Sequence, residues 1–76
     1  MNIEDQVKQI VATTLNIESS EISNTSHIAD ELGADSLDAA EIIFEIEEVF
    51  EIDLDKADYS EMRTVQDLVD MVSKKL

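Results

Sequence analysis

The chain has no cysteine and no proline, one glycine, and three aromatic residues. It sets five lysines and arginines against nineteen aspartates and glutamates. Each shortage excludes something. Without cysteine there is no disulfide staple and no protein thiol for chemistry. The missing proline and scarce aromatics argue against an all-β module and for a compact all-α one. There is no apolar run long enough to span a bilayer and no signal segment, so no stable membrane insertion and a cytoplasmic location are expected. The shortage of bases makes nucleic acid and anionic membranes poor partners. Seventy-six residues predict one domain, residues 1–76, near the lower end of what folds unaided, and a monomer.

Acid is what the chain does have, and it is unevenly placed. Residues 30–61 hold thirteen acids and one base, Lys56, and so contribute −12 of the net −14. Acid can simply keep a small protein soluble. Its concentration in one segment points further, to a surface that meets basic patches on other proteins through fast, salt-sensitive association. Self-repulsion is the cost, and salt or divalent cations should raise stability.

Apolar periodicity predicts a first helix from Ile3 to Leu15, capped by Asn2 with Asp5 at its third position. Ile3, Val7, Ile10, Val11 and Leu15 form its core stripe. Residues 16–35 read as a long irregular connection. Ile17, Ile22, Ile28 and Leu32 in it are expected to pack across the helices. A second helix begins at Asp35 or Ser36 and ends at Phe50 or Glu51. A short third segment is predicted around Lys56 to Glu61. Thr64-Val65-Gln66-Asp67 is an N-capping signal for the last helix. Its inward stripe is Val65, Leu68, Val69, Val72 and Leu76, and Lys74 and Lys75 complement the dipole in its last turn.

The second helix has two apolar faces. At roughly 100° per residue, Ala39, Ile42, Ile43, Ile46, Val49 and Phe50 fall within one arc and form the core face. Leu37, Ala40 and Phe44 fall elsewhere, among Glu41, Glu47 and Glu48. Such a strip suits docking: apolar anchors supply affinity and the acidic rim supplies steering.

At the head of that strip stands Gly33-Ala34-Asp35-Ser36-Leu37-Asp38. A serine at the positive end of a helix dipole suits a residue that carries a phosphate ester. Hydrolysis fits poorly. Asp-Ser-Leu after glycine is similar to the motif that names the GDSL hydrolases, but here an alanine intervenes. A serine nucleophile also needs a base and an oxyanion hole. The one histidine, His27, reads as a solvent-facing loop residue. Asp53, Asp55 and Asp58 suggest a cation loop, but the EF-hand spacing fails at Ala57 and Asp58. No metal site is expected.

The chain resembles the acyl carrier proteins over nearly its whole length. The likeness is strongest in Glu31-Leu32-Gly33-Ala34-Asp35-Ser36-Leu37-Asp38. It continues through Glu41, Glu47-Glu48 and Phe50, and through Thr64-Val65-Gln66-Asp67-Leu68. The resemblance implies a four-helix bundle with a short third helix and a long first loop. It implies that Ser36 carries 4′-phosphopantetheine, installed from coenzyme A by a phosphopantetheinyl transferase with Mg²⁺. The arm's thiol would hold acyl groups as thioesters, and the chain would be a carrier rather than an enzyme. It further implies that Asp35, Leu37, Asp38, Ala40, Glu41, Phe44, Glu47 and Glu48 meet basic grooves on acyl-transferring and chain-elongating enzymes. Growing acyl chains would tuck into the core.

Residues 51–63 lack the proline and glutamate run of many fatty-acid-synthesis members. Ala39 and Ala40 are small where larger residues are common. A fatty-acid role and a specialised one (polyketide, lipid A or aminoacyl) therefore both stay open. So does a reading of another class, an acidic helical adaptor that docks unmodified and uses Ser36 only as an N-cap.

Overall fold

The structure is a computed structural model that describes residues 2–76, without the side chains of Lys56 and Tyr59. Three long helices and one short one follow in order: α1 Ile3–Leu15, α2 Ser36–Phe50, α3 Lys56–Ser60 and α4 Val65–Lys75. The long first connection contains one 3₁₀ turn, Ser19–Glu21, in a stretch expected to be irregular throughout. No strand forms among the described residues, which hold one isolated antiparallel bridge between His27 and Thr64. None of the described helices is long and apolar enough to cross a membrane.

The predicted helix ends hold, and the hydrogen bonds show why. Asn2 Oδ1 accepts the Asp5 N–H at 2.8 Å and so starts α1. At its far end Asn16 turns left-handed, with φ 57°. The N–H groups of Asn16 and Ile17 then close back on Thr13 and Ala12, which satisfies carbonyls that the helix leaves open. α2 ends in the same way at Glu51, with φ 55°, and the Ile52 N–H returns to the Glu47 carbonyl at 3.2 Å. Asparagine tolerates that conformation; glutamate adopts it at a cost in strain.

α1 is the central element and packs against both α2 and α4. Val7, Ile10, Val11 and Ala12 meet Ile42, Ile43 and Ile46 of α2 and Val65, Leu68, Met71 and Val72 of α4. Two expected core positions fall outside. Leu76 lies past the last residue of α4 and is 66% exposed, and Met71 fills the inner face instead. Val49 sits at the edge of the α2 arc and is 48% exposed.

The long connection is tied down at a distance. Ile22 and Ile28 are buried in the core. The Ile28 N–H donates to the Arg63 carbonyl at 2.9 Å, and Val65 and Gln66 donate to the carbonyls of Ser26 and Asn24. Asn24 Nδ2 also donates to Gln66 Oε1 at 2.7 Å. The loop is therefore fastened to the start of α4, the device that lets so long a connection stay ordered.

That start is a capping box. Thr64 Oγ1 accepts the Asp67 N–H at 3.2 Å, and Asp67 Oδ2 accepts the N–H groups of Thr64 and Arg63 at 3.0 and 3.1 Å. The bond from the Thr64 N–H, aided by that from Arg63, holds the Asp67 carboxyl below its usual range, against an opposing effect of burial. A lowered folded value means that the stabilisation is full above the unfolded value of about 4 and is lost as pH falls through the folded one. Asp67→Asn should therefore melt below the wild type at neutral pH. The gap should close as pH falls below about 4 in thermal melts followed by circular dichroism. A gap that persists undiminished to pH about 2 would contradict this assignment.

Candidate functional site

Gly33 sets up the approach to α2. Its φ is +76°, and a Cβ built there would meet nothing within 4 Å. Backbone conformation, not space, calls for glycine. The Glu31 and Leu32 N–H groups fold back on the His27 carbonyl, Gly33 on Ala29, and Ala34 on Ile28. The turn buries Ala34 and delivers Asp35 in an extended conformation.

Asp35 is the N-cap. Its Oδ1 accepts the Asp38 N–H at 2.9 Å, and Asp38 Oδ2 accepts the Asp35 N–H at 3.3 Å. This is a capping box with aspartate in both roles. Reading these acids from sequence only as contacts for partners missed this duty, which the Asp-x-x-Asp spacing could have revealed. The box has a consequence for Ser36. The serine is the first residue of α2 and not its cap, so its hydroxyl is spared from holding the helix together. Ser36 is exposed, at the positive end of the dipole.

Two apolar grooves open beside the serine. One, of about 260 Å³, is lined by Ser36, Ala39, Ala40, Ile43, Phe44 and Met62. The other, of about 180 Å³, runs past Ile28 and Ala34 and shares Ser36, Ala39 and Met62 with the first. The two small alanines thus line the space next to the serine. Met62 closes the far side of both grooves; no pattern in its own segment marks it.

The expected docking strip is on the surface. Leu37 is 68% and Phe44 67% exposed, and Ala40, Glu41 and Glu48 are exposed with them. Glu47 differs from these. It is half-buried, and its Oε2 accepts the Leu54 N–H at 3.0 Å, which fastens the α2–α3 connection.

His27 is half-buried rather than solvent-facing, because the turn folds around it. Its Nδ1 accepts the Asp30 N–H at 3.4 Å and lies 3.6 Å from the Asp30 carboxylate. The ring serves its own turn. Asp55 and Asp58 are likewise occupied. They form a reciprocal box at the start of α3, with bonds of 3.0 and 3.1 Å, and Asp58 pairs with Lys75 at 3.3 Å. The Asp55 N–H, then Lys75, hold the Asp58 carboxyl below its usual value. Among the described residues no group of three or more His, Cys, Asp or Glu side chains is arranged to hold a metal ion.

Comparison with known proteins agrees with this geometry. Residues 5–72 match the family described as "Phosphopantetheine attachment site". The chain is also similar to the solution structure of the apo doublet acyl carrier protein from prodigiosin biosynthesis. That match has a TM-score of 0.85 and 26% identity, and it covers 96% of this chain and 35% of that one. The chain thus spans about a third of the length of the protein it matches.

The capping box makes a separate prediction. Asp35→Ala should lower stability by about 1 kcal/mol, a fall in Tm of about 4–8 °C, and Asp35→Ser should recover most of it. An unchanged melting curve for Asp35→Ala would show that the box does not fix the start of α2.

Proposed function

The chain belongs to the phosphopantetheine-attachment-site family, and on that premise we propose that Ser36 is the residue that carries the arm. Membership makes the chain a carrier domain, not a catalytic enzyme, with covalent 4′-phosphopantetheine as its prosthetic group. It also implies a phosphopantetheinyl transferase that installs the group and biosynthetic enzymes that meet the loaded carrier.

One observation carries the choice of Ser36: it is an exposed hydroxyl at the first position of a helix that its neighbours already cap. A phosphodiester there gains about 0.3–1 kcal/mol from the helix dipole. Asp35 and Asp38 oppose that gain but hold the helix start in place. When bound, the arm supplies a single flexible thiol, in a chain that has no cysteine, and acyl groups are held on it as thioesters. Ala39, Ile43 and Met62 line the groove beside Ser36 and offer apolar cover to such a chain.

Residues 1–76 act as one cytoplasmic carrier unit in this reading, loaded from coenzyme A with Mg²⁺. Asp35, Leu37, Asp38, Ala40, Glu41, Phe44 and Glu48 form the face that partner enzymes grip. Glu47 joins that face with the oxygen not bound to Leu54. The cargo is an acyl chain of fatty-acid or related biosynthesis. A specialised pathway is the second reading. It is favoured by the two alanines at the groove and by the similarity to a carrier from prodigiosin biosynthesis.

Incubating the chain with coenzyme A, Mg²⁺ and a broad phosphopantetheinyl transferase tests the assignment by intact mass. One phosphopantetheine should be added to the wild type and none to Ser36→Ala. A folded wild type that gains nothing, or a Ser36→Ala variant that is still loaded, would overturn it. For the docking face, Glu41→Lys or Glu48→Lys should slow turnover by a partner enzyme about tenfold at unchanged helicity. Full turnover in both would make the acid a solvated surface only.

A further inference from the structure

Arg63 lines the smaller of the two grooves beside Ser36, together with His27, Ile28, Ala34 and Met62. Taking Ser36 as the attachment point, we propose that the Arg63 guanidinium holds the phosphodiester that joins the arm to the serine. Arg63 thereby turns the base of the arm into this groove.

Main-chain bonds place residue 63. The Ile28 N–H donates to the Arg63 carbonyl at 2.9 Å, and the Ile28 carbonyl accepts the Ala34 N–H at 3.1 Å. The segment after α3 is thus tied, through Ile28, to the residue two before Ser36. The antiparallel bridge between His27 and Thr64 fastens the neighbouring pair. The Arg63 N–H donates to Asp67 Oδ2 at 3.1 Å. These bonds fix the backbone at residue 63 and leave its side chain unused.

That side chain is exposed and uncommitted. Lys8 lies 3.5 Å from Glu4, and Lys75 lies 3.3 Å from Asp58. Among the described residues, no carboxylate stands within 4.0 Å of the Arg63 guanidinium. Asp67 feels its charge, but as the least of the effects that lower that carboxyl. Asp67 already accepts the N–H groups of Arg63 and Thr64. In a chain of net charge −14, a guanidinium without an acid stands out, and this one stands at the groove of the attachment serine.

The chemistry of the two groups matches. A phosphodiester keeps its negative charge at neutral pH and offers two unbridged oxygens, which suit the planar fork of a guanidinium. At Ser36 that charge meets the carboxylates of Asp35 and Asp38, which form the cap around it. Arg63 is the permanently charged base of the groove and offsets their repulsion. With Arg63 engaged, the two grooves are no longer equivalent. The first carbons of the arm run along Ile28 and Ala34, away from Ala40 and Phe44, which line the other groove. The apolar strip on α2 stays uncovered while the arm is folded down.

The test is a thermodynamic cycle on the whole chain. Apo and holo forms of the wild type and of Arg63→Gln are melted after fragment mapping has located the arm on Ser36. The bonds that place residue 63 belong to the main chain, so the variant keeps them. The change in Tm on loading should be less favourable in Arg63→Gln by about 2–4 °C, the size of an exposed ion pair in a chain of this length. Raising the salt from about 0.1 M to about 1 M, which shortens the screening length from about 10 to about 3 Å, should largely abolish that difference. A role limited to Asp67 would shift apo and holo melts alike and leave no difference. Lys74→Gln removes the same charge from the last turn of α4 and should behave as the wild type. In NMR of the holo wild type, the geminal methyls next to the phosphodiester should show contacts to Ile28 and Ala34, which Arg63→Gln loses. No difference in the cycle, an equal loss in Lys74→Gln, or methyl contacts to Ala40 and Phe44 in both chains would overturn the proposal and leave the attachment at Ser36 intact. A wild type that carries no arm on Ser36 would overturn both.

Discussion

The reciprocal bonds between Asp35 and Asp38 decide where α2 begins, and the site depends on that decision. Because Asp35 caps the helix, Ser36 falls on the first turn with its hydroxyl uncommitted. Because the helix starts there, Leu37, Ala40 and Phe44 line up behind the serine, and Ala39 turns toward Met62 and the grooves. A start one residue later would leave Ile42, Ile43 and Ile46 facing the core, but it would make Ser36 the cap and commit its hydroxyl to the helix. The same two carboxylates thus free the serine at the start of a helix whose other face fills the core. An adaptor that uses Ser36 as its own cap does not match this arrangement, since the cap is Asp35.

A wider pattern joins the composition to the fold. With no proline and one glycine, the chain marks its helix starts with polar side chains: Asn2 for α1, Asp35 and Asp38 for α2, Asp55 and Asp58 for α3, Thr64 and Asp67 for α4. It ends two helices with left-handed Asn16 and Glu51, where glycine is more usual. Part of the acid is therefore structural. Asp35, Asp38, Asp55, Asp58 and Asp67 cap helices, and Glu47 pins a connection. Glu41, Glu45 and Glu48 are exposed on α2 and remain available for association. The net −14 mixes these two kinds of acid.

Much of this was legible in the sequence where the signals are local. Asn2 and Thr64 announce their helices within four residues, and the apolar stripe of α1 marks a helix buried on one side. The exposed strip of Leu37, Ala40 and Phe44 followed from angular position alone. What was not legible involves partners far apart. Asn24 and Gln66 meet across the fold, as do Ile28 and Arg63, and no periodicity encodes such bonds. Met62 acquires its place at the grooves from the path of the chain after α3. Val49 and Leu76 continue their stripes correctly, yet one lies at the edge of the arc and the other past the helix end. Periodicity gives direction and says nothing of whether a neighbour is there to cover it.

The central claim is that the first residue of α2 bears the prosthetic group. It is tested most directly on the chain isolated from the cells that make it, by digestion and fragment-ion mapping of any phosphopantetheine. The account predicts a single modification, on Ser36, with the other serines bare. A modification on another serine, or a native chain that never carries one, would contradict it.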